Sequence, residues 1–258
     1  MKVYETGNIR NVVVMGHGGC GKTTLVEAIA YQTGITARMG KVTDGNTISD
    51  YDKEEQKRQF TISTSVVPVE FEDIKINFLD TPGYFDFVGE VEEACHAAGA
   101  AVIVINGKSG VEVGTLKAWE LCEKYKLPRL FFVTGMDDDQ ASYRKIVLEL
   151  NDRFGRKVAP FHVPIRENEK FVGFVNVVKM KGRRFINDTS EYEECDIPDY
   201  MDKHLNISRD ALVEAVADTS EELMERYFAG EEFTYEEVST ALRTHVMDCQ
   251  IVPVLVGS

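Results

Sequence analysis

Residues 16–23 read G-H-G-G-C-G-K-T, an unbroken match to the P-loop pattern G-x-x-x-x-G-K-[ST]. The glycines of this pattern let the backbone curl so that several N–H groups point at a phosphate. Lys22 places a positive charge on the β- and γ-phosphates, and the Thr23 hydroxyl can ligate Mg²⁺. The residues that we assign to phosphate binding are His17, Gly18, Gly19, Cys20, Gly21, Lys22, Thr23 and Thr24.

The residues on either side of this loop favour a phosphate site over a plain glycine turn with an incidental lysine. Residues 9–15 (I-R-N-V-V-V-M) are rich in β-branched side chains and predict a strand. Residues 24–30 (T-L-V-E-A-I-A) place Leu25 and Ile29 at helical spacing. A strand, a glycine loop and a helix N-terminus in that order form an anion-binding site.

The composition is that of an ordinary globular protein. With 258 residues and 43% hydrophobic content, the chain can bury a sizeable core in one large domain or two small ones. No stretch approaches the roughly 20 apolar residues that a membrane span needs. Residues 1–8 lack the apolar core of a signal peptide. We therefore expect a cytoplasmic protein without a membrane partner.

The cysteines predict neither a zinc site nor a disulfide framework. They are widely separated, and no two of them form a C-x-x-C pair. The five positions are Cys20, Cys95, Cys122, Cys195 and Cys249.

The charge of the chain argues against bulk attraction to nucleic acid, because the net charge is −14. The negative charge is unevenly distributed along the chain, since residues 165–249 carry 20 acidic and 10 basic side chains. Such a segment is either a solvated surface or a docking face for a basic partner.

The order of the predicted elements indicates an α/β fold, with a mostly parallel sheet flanked by helices. After residue 165 a hairpin over 171–186 and helices with capping boxes at Thr219 and Thr234 predict a smaller α+β subdomain. The strand predicted at 251–256 could complete the first sheet. In that case 1–165 and 250–258 form one domain, and 166–249 are inserted into it. The remaining predictions are strands at 74–79, 100–105, 129–133 and 158–165, and helices at 90–98, 113–126 and 141–154.

A second motif, D-T-P-G at residues 80–83, follows the predicted strand at 74–79. An aspartate at a strand end can hold a water on Mg²⁺, and the backbone N–H of Gly83 can read a γ-phosphate. Residues 35–59 are polar and contain glycines, and they lead to Thr61. This stretch suits a mobile loop whose threonine closes over the metal when a γ-phosphate is present.

These motifs together resemble bacterial elongation factor G over essentially the whole chain, and are most similar to the divergent second copies of that factor. The resemblance implies a P-loop G domain that binds GTP or GDP with Mg²⁺ and acts on the ribosome in translocation or a related step. It also implies that the inserted subdomain meets the ribosomal stalk protein or other ribosomal parts. The matching segments are 16–24, 57–62 (K-R-Q-F-T-I), 80–87 (D-T-P-G-Y-F-D-F), 110–115 (G-V-E-V-G-T), 136–137, 221–227 (E-E-L-M-E-R-Y) and 256–258 (V-G-S).

The resemblance assigns guanine recognition to Asp137, which can accept two hydrogen bonds that adenine cannot supply. Thr134 and Gly135 stand where the family has asparagine and lysine, so binding is expected to be weaker and specificity looser. Gly257 and Ser258 resemble the start of the last base-contact motif, and we expect the factor's further domains to follow them.

The resemblance also assigns catalysis to Lys22 and to Tyr84, with Thr23, Thr61 and Asp80 holding the metal. Tyr84 stands where the family has a histidine that positions the attacking water. A phenol is a poor base at neutral pH but can orient water by hydrogen bonding. Gly19 stands where the family has an aspartate, so any role of that carboxylate in holding a monovalent cation is lost.

Several functions therefore remain open from the sequence. The first is a monomeric translational GTPase in which hydrolysis is slow or differently triggered. The second is a nucleotide-dependent ribosome-binding factor that does not hydrolyse GTP, and a ribosome-protection factor is a variant of the first. The weakened base motif keeps a P-loop ATPase or kinase as the third.

Overall fold

A computed structural model describes residues 2–168, 170–186 and 191–258 of the chain. The residues fall into two compact units. The first runs to Asn106 and resumes over Glu112–Leu127, and the second contains Gly107–Val111 and Pro128–Ser258. Within the described residues, no helix combines the length and the apolar character that crossing a membrane requires.

The first unit alternates strands with helices around a sheet of order β2-β3-β1-β4. Strand β1 runs parallel to both β3 and β4, whereas β2 is antiparallel to β3. The elements are β1 (Ile9–Gly16), α1 (Lys22–Gln32), α2 (Lys53–Arg58), β2 (Ser65–Phe71), β3 (Ile74–Asp80), α3 (Val88–Ala97), β4 (Ala100–Asn106) and α4 (Val113–Tyr125).

The centre of β1 is buried on both faces, as expected of a strand inside a parallel sheet. Val13 and Val14 are fully buried, and Val26 of α1 packs in the same core cluster as Val14. Because β1 and β3 are parallel neighbours, their carboxyl ends meet at one edge of the sheet. The P-loop follows β1 at that edge, and Asp80 ends β3 beside it.

The second unit contains a parallel sheet of order β5-β11-β6. Its strands are β5 (Arg129–Thr134), β6 (Val158–Pro160) and β11 (Val252–Val256), and α5 spans Tyr143–Phe154. The strand expected at 251–256 is thus present, and it lies between β5 and β6.

The rest of the second unit consists of an antiparallel four-stranded sheet and three helices. The sheet order is β10-β9-β8-β7. The elements are β7 (His162–Glu167), β8 (Lys170–Asn176), β9 (Lys181–Phe185), β10 (Tyr192–Cys195), α6 (Asp202–Ala217), α7 (Glu221–Phe228) and α8 (Tyr235–His245). The predicted fold class is confirmed: a mostly parallel sheet flanked by helices, with this antiparallel sheet forming the inserted subdomain.

The single strand predicted over 158–165 is wrong, because the chain changes sheets within it. Residues before Phe161 belong to β6 and residues after it to β7. The Phe161 N–H donates to the Val254 carbonyl of β11 at 2.9 Å, while its own carbonyl accepts from the Val177 N–H at 2.9 Å. An unbroken apolar run carries no sign of this exchange of partners.

One of the two predicted capping boxes is confirmed. At Thr234 the side chain accepts from the Glu237 N–H, and the Glu237 carboxylate accepts from the Thr234 N–H. The prediction at Thr219 is wrong, since the cap of α7 is Ser220, whose hydroxyl accepts from the Leu223 N–H at 3.2 Å. The Thr219 hydroxyl instead donates to the Val216 carbonyl at the end of α6.

Candidate functional site

The P-loop joins β1 to α1 through a tightly curled backbone. Gly19 and Gly21 have φ of 78° and 96°, in the left-handed region that favours glycine. Gly21 is the N-cap of α1, so the first N–H groups of the helix lie at the end of this loop. The sequence pattern therefore produces the strand, loop and helix N-terminus that an anion site requires.

Lys22 is buried inside the curl of the loop. Its Nζ donates to the Gly16 carbonyl at 3.2 Å and to the His17 carbonyl at 2.9 Å. These bonds fix a positive charge at the helix N-terminus, where it adds to the favourable field of the helix for an anion.

A cavity of about 200 Å³ opens beside this charge. It is lined by Gly18, Gly19, Gly21, Lys22, Thr23 and Thr24 of the P-loop, and by Thr61, Gly83 and Tyr84 among others. Most residues predicted to contact phosphate or metal in this unit therefore meet at one cavity.

Two predicted P-loop residues do not line the cavity. Cys20 is buried, with only 1% of its surface exposed, and burial raises the pKa of its thiol. The His17 ring points elsewhere, since its Nδ1 accepts from the Gly114 N–H at 3.3 Å and its Nε2 lies 3.5 Å from Glu112 Oε1.

Gly83 lies directly against the P-loop backbone. A Cβ placed on it would come 2.7 Å from Gly18 Cα and would also collide with Lys22 Nζ. Only glycine fits this approach, which brings the end of the D-T-P-G motif beside the lysine that the motif was predicted to join.

The three residues predicted to hold a metal form one hydrogen-bonded cluster. The Thr23 hydroxyl donates to Asp80 Oδ2 at 2.8 Å and lies 3.1 Å from the Thr61 hydroxyl. The structure adds two residues that the sequence did not indicate. The Ser49 hydroxyl donates to Asp80 Oδ2 at 2.7 Å, and the Thr61 hydroxyl donates to Asp50 Oδ1 at 2.8 Å.

This cluster fits Mg²⁺, which prefers oxygen ligands and keeps several waters. Asp80 is fully buried, and while its Oδ2 accepts two hydrogen bonds, its Oδ1 is buried without a partner. A metal-bound water would satisfy that oxygen. The described residues contain no group of three or more His, Cys, Asp or Glu able to hold a metal.

Burial shapes the titration of the two carboxyl groups in the cluster. It raises the pKa of Asp80 to about 6, although hydrogen bonds from Ser49 and Thr23 oppose the shift. Burial likewise raises the pKa of Asp50, against the hydrogen bond from Thr61. Both shifts follow from desolvation, which disfavours the charged form.

Two further buried carboxylates brace the segment that carries Ser49, Asp50 and Thr61. Glu27 of α1 accepts from the Gly40 N–H at 2.8 Å and from the Ile48 N–H at 2.7 Å. Glu55 of α2 accepts from the N–H groups of residues 62 and 63 at 2.9 and 3.1 Å. The mobility expected for residues 35–59 is not tested by these contacts.

The residues predicted to recognise the base meet in the second unit. Thr134 ends β5, and its carbonyl accepts from the Gly107 N–H at 2.8 Å. Two residues further on, the Met136 N–H donates to the Gly257 carbonyl at 3.3 Å, which joins the T-G-M-D loop to the residue before Ser258. Asp137 is exposed at the tip of this loop.

Arg166 supports the same loop from β7. Its guanidinium donates to the carbonyls of Asp138 and Ala141, both at 2.9 Å. Sequence reasoning missed Arg166 because its partners are backbone atoms distant along the chain, which leave no signal in the sequence.

A family model described as the elongation factor Tu GTP binding domain matches residues 7–258. The chain belongs to this family. A protein from Thermus thermophilus with a known crystal structure is 37% identical and has a TM-score of 0.88, over 97% of this chain. The match covers 37% of that protein's chain, so the present chain spans little more than a third of its length. Membership of this family implies that the chain is a GTP-binding domain of the translational GTPases.

Proposed function

We propose that this chain is the GTP-binding domain of an elongation factor G-like translation factor related to the divergent second copies. In this proposal residues 1–165 and 250–258 form the G domain, and residues 166–249 form the inserted subdomain. The observation that carries it is the Thr23, Thr61 and Asp80 cluster beside Lys22, with the unpartnered Asp80 Oδ1.

The residues of the first unit bind the phosphates and the metal. Lys22 and the P-loop amides hold the β- and γ-phosphates, and Gly83 offers its N–H to the γ-phosphate. Thr23 and Thr61 would ligate Mg²⁺ through their hydroxyls, and Asp80 would hold a water on it. The metal, when bound, neutralises charge on the phosphate oxygens.

For the base, Asp137 accepts hydrogen bonds from guanine. Thr134 contributes through its backbone, and Gly257 and Ser258 lie at the start of the last base-contact motif. The bond between the Met136 N–H and the Gly257 carbonyl supports this pairing of the two motifs. Gly135 supplies no side chain to cover the base, so we expect weaker affinity than a lysine would give.

Tyr84 would position the attacking water, and Lys22 would stabilise the charge of the transition state. The presence of Tyr84 among the residues that line the cavity supports this role. The second candidate function, a ribosome-binding factor without hydrolysis, is favoured by the same residue, because a phenol is a poor base. Ribosome protection is a variant of the first.

We further propose the ribosome as the partner of the longer protein, with the inserted subdomain meeting the stalk protein, and a cytoplasmic monomer as its state. The acidic charge of residues 165–249 supports docking to a basic part of the ribosome. The contact with the stalk protein rests on the resemblance alone.

Calorimetric titration of the 258-residue chain with GDP, GTP and ATP in Mg²⁺ tests nucleotide binding. We expect heat from both guanine nucleotides and little from ATP, and we expect Lys22→Ala to abolish it. If ATP displaced labelled GDP as well as GTP does, guanine specificity would be rejected.

Hydrolysis is tested separately by single-turnover phosphate release with ribosomes and the full-length factor. Release well above the ribosome-free rate would reject the non-hydrolysing alternative. Tyr84→His should raise the rate if this position acts on the attacking water, and an unchanged rate would remove Tyr84 from the chemical step.

A further inference from the structure

The Tyr84 ring packs against the P-loop at Gly18. A Cβ placed on Gly18 would lie 3.4 Å from Tyr84 Cζ, and 3.5 and 3.6 Å from the two ring carbons next to it. These three atoms form the hydroxyl-bearing end of the ring. A side chain at Gly18 would therefore begin in contact with this end of the ring.

Phe60 holds the ring from a second direction. The Phe60 and Tyr84 rings meet edge to face, with centroids 4.7 Å apart and an interplanar angle of 60°. Phe87 lies against Phe60 with centroids 6.4 Å apart, which supports Phe60 in turn. Edge-to-face pairs of this kind fix the relative orientation of two rings. Tyr84 is half exposed, so these contacts, rather than general burial, set its place.

Tyr84 lines the cavity together with Lys22, Thr61 and Gly83, and the hydroxyl-bearing end of its ring lies against Gly18 of the same cavity. Gly83, which precedes it in sequence, is the residue whose N–H is proposed to read the γ-phosphate. A phenol O–H is a hydrogen-bond donor, and a donor facing a phosphate oxygen makes a strong, charge-assisted bond. GDP has no γ-phosphate and could not accept that bond.

We propose that Tyr84 is a specificity-determining residue that distinguishes GTP from GDP through its hydroxyl, and that Gly18 and Phe60 are positioning residues for its ring. This inference rests on the proposed function, because it requires a guanine nucleotide in the cavity. It goes beyond that function by assigning Tyr84 a role in binding that does not depend on hydrolysis, and by giving Gly18 and Phe60 a task.

Gly18 allows a graded test because its backbone is outside the left-handed region, so larger residues cause no backbone strain there. The alanine Cβ would sit at an ordinary contact distance from the ring. The two further methyl groups of valine must push the ring away. We therefore expect the loss of GTP preference to be larger for Gly18→Val than for Gly18→Ala. Gly7→Val is the matched control, because a side chain there meets nothing within 4 Å.

The experiment measures the dissociation constants of GDP and of a non-hydrolysable GTP analogue by calorimetry, in Mg²⁺. Tyr84→Phe keeps the ring and removes the hydroxyl, so it should weaken analogue binding about tenfold while leaving GDP binding within about twofold. Gly18→Val and Phe60→Ala should weaken the analogue more than GDP. Gly7→Val should change neither constant.

A double variant shows whether Gly18 acts through Tyr84. In the Tyr84→Phe background, Gly18→Val should not reduce the ratio of analogue to GDP affinity any further, because the hydroxyl is already gone. A further full reduction of that ratio would overturn the positioning role of Gly18. An unchanged ratio in Tyr84→Phe would overturn the whole inference while leaving the proposed function intact. Absence of binding of either nucleotide to the unmodified chain would overturn the proposed function itself.

Discussion

At the scale of single residues, the site divides into positions that a local pattern reveals and positions that only the folded chain reveals. Lys22, Thr23 and Asp80 belong to short motifs whose spacing follows from the chemistry of phosphate and metal. Ser49 and Asp50 sit in a polar stretch without such a motif, and their partners Asp80 and Thr61 are 31 and 11 residues away. Their contribution could not be predicted, because nothing local fixes it.

Ser49 provides the first prediction. The Ser49 hydroxyl is one of two hydrogen-bond donors to the buried Oδ2 of Asp80. Ser49→Ala therefore removes one of the two hydrogen bonds that this oxygen accepts. We expect the free energy of unfolding to fall by about 1–2 kcal/mol, measured with urea. Ser63→Ala, at an exposed position, is the control and should change stability by less than about 0.5 kcal/mol. Equal effects in both variants would contradict the assigned bond.

His162 provides a pH-dependent prediction. Burial, assisted by the nearby Arg183 charge, lowers its pKa to about 4, and its ring packs on Phe174 with centroids 4.2 Å apart. Since the unfolded chain takes up this proton near pH 6.5, the stabilising contribution is complete above that pH. It is lost progressively as the pH falls towards about 4.

His162→Phe keeps an aromatic ring against Phe174 but cannot titrate. Its urea unfolding free energy should therefore fall less between about pH 6.5 and pH 4 than that of the unmodified chain, by an amount on the order of 2 kcal/mol. Parallel pH curves for the two proteins would show that His162 is not responsible for the dependence.

At the scale of elements, the strands and helices whose apolar residues recur at regular spacing were predicted. Strand β2 and helix α2, which lack regular apolar spacing, were not. Strand β2 (Ser65–Phe71) was missed because the exposed Val66 and Phe71 obscure its apolar alternation and because it contains Pro68, although edge strands tolerate proline. Helix α2 was missed even though Asp52 and Glu55 form a capping box that is visible in the sequence. The division of 158–165 between two sheets was not predictable, because it depends on partners far along the chain.

The brace between α1 and the loop over residues 40–48 gives an element-scale prediction. Glu27→Gln replaces one carboxylate oxygen by an NH₂ group that would face a backbone N–H. We expect a loss of about 2–3 kcal/mol in unfolding free energy, with faster amide hydrogen exchange at Gly40 and Ile48. Glu93→Gln, on the exposed face of α3, is the control. Unchanged exchange at both amides would argue against the brace.

At the scale of the whole molecule, ligand binding and stability are linked. A nucleotide that binds the folded chain alone stabilises it, by about 2.7 kcal/mol at a concentration about 100 times its Kd. GDP with Mg²⁺ should therefore raise the Tm by roughly 5 °C or more, and chelating the metal should remove most of this gain. The same GDP additions to Lys22→Ala provide the control. A gain that survives chelation would mean that the Asp80 cluster holds no metal needed for binding.

The position of Phe161 has a consequence for how the second unit comes apart. The Phe161 N–H donates to the parallel sheet, and the Phe161 carbonyl accepts from the segment after β8, so this residue links the two sheets. Melting either sheet would leave this link without one of its bonds and so loosen the other. In native-state hydrogen exchange, the Phe161 and Val177 amides should open together, as members of one cooperative block. Widely different opening energies would show that the two sheets melt on their own.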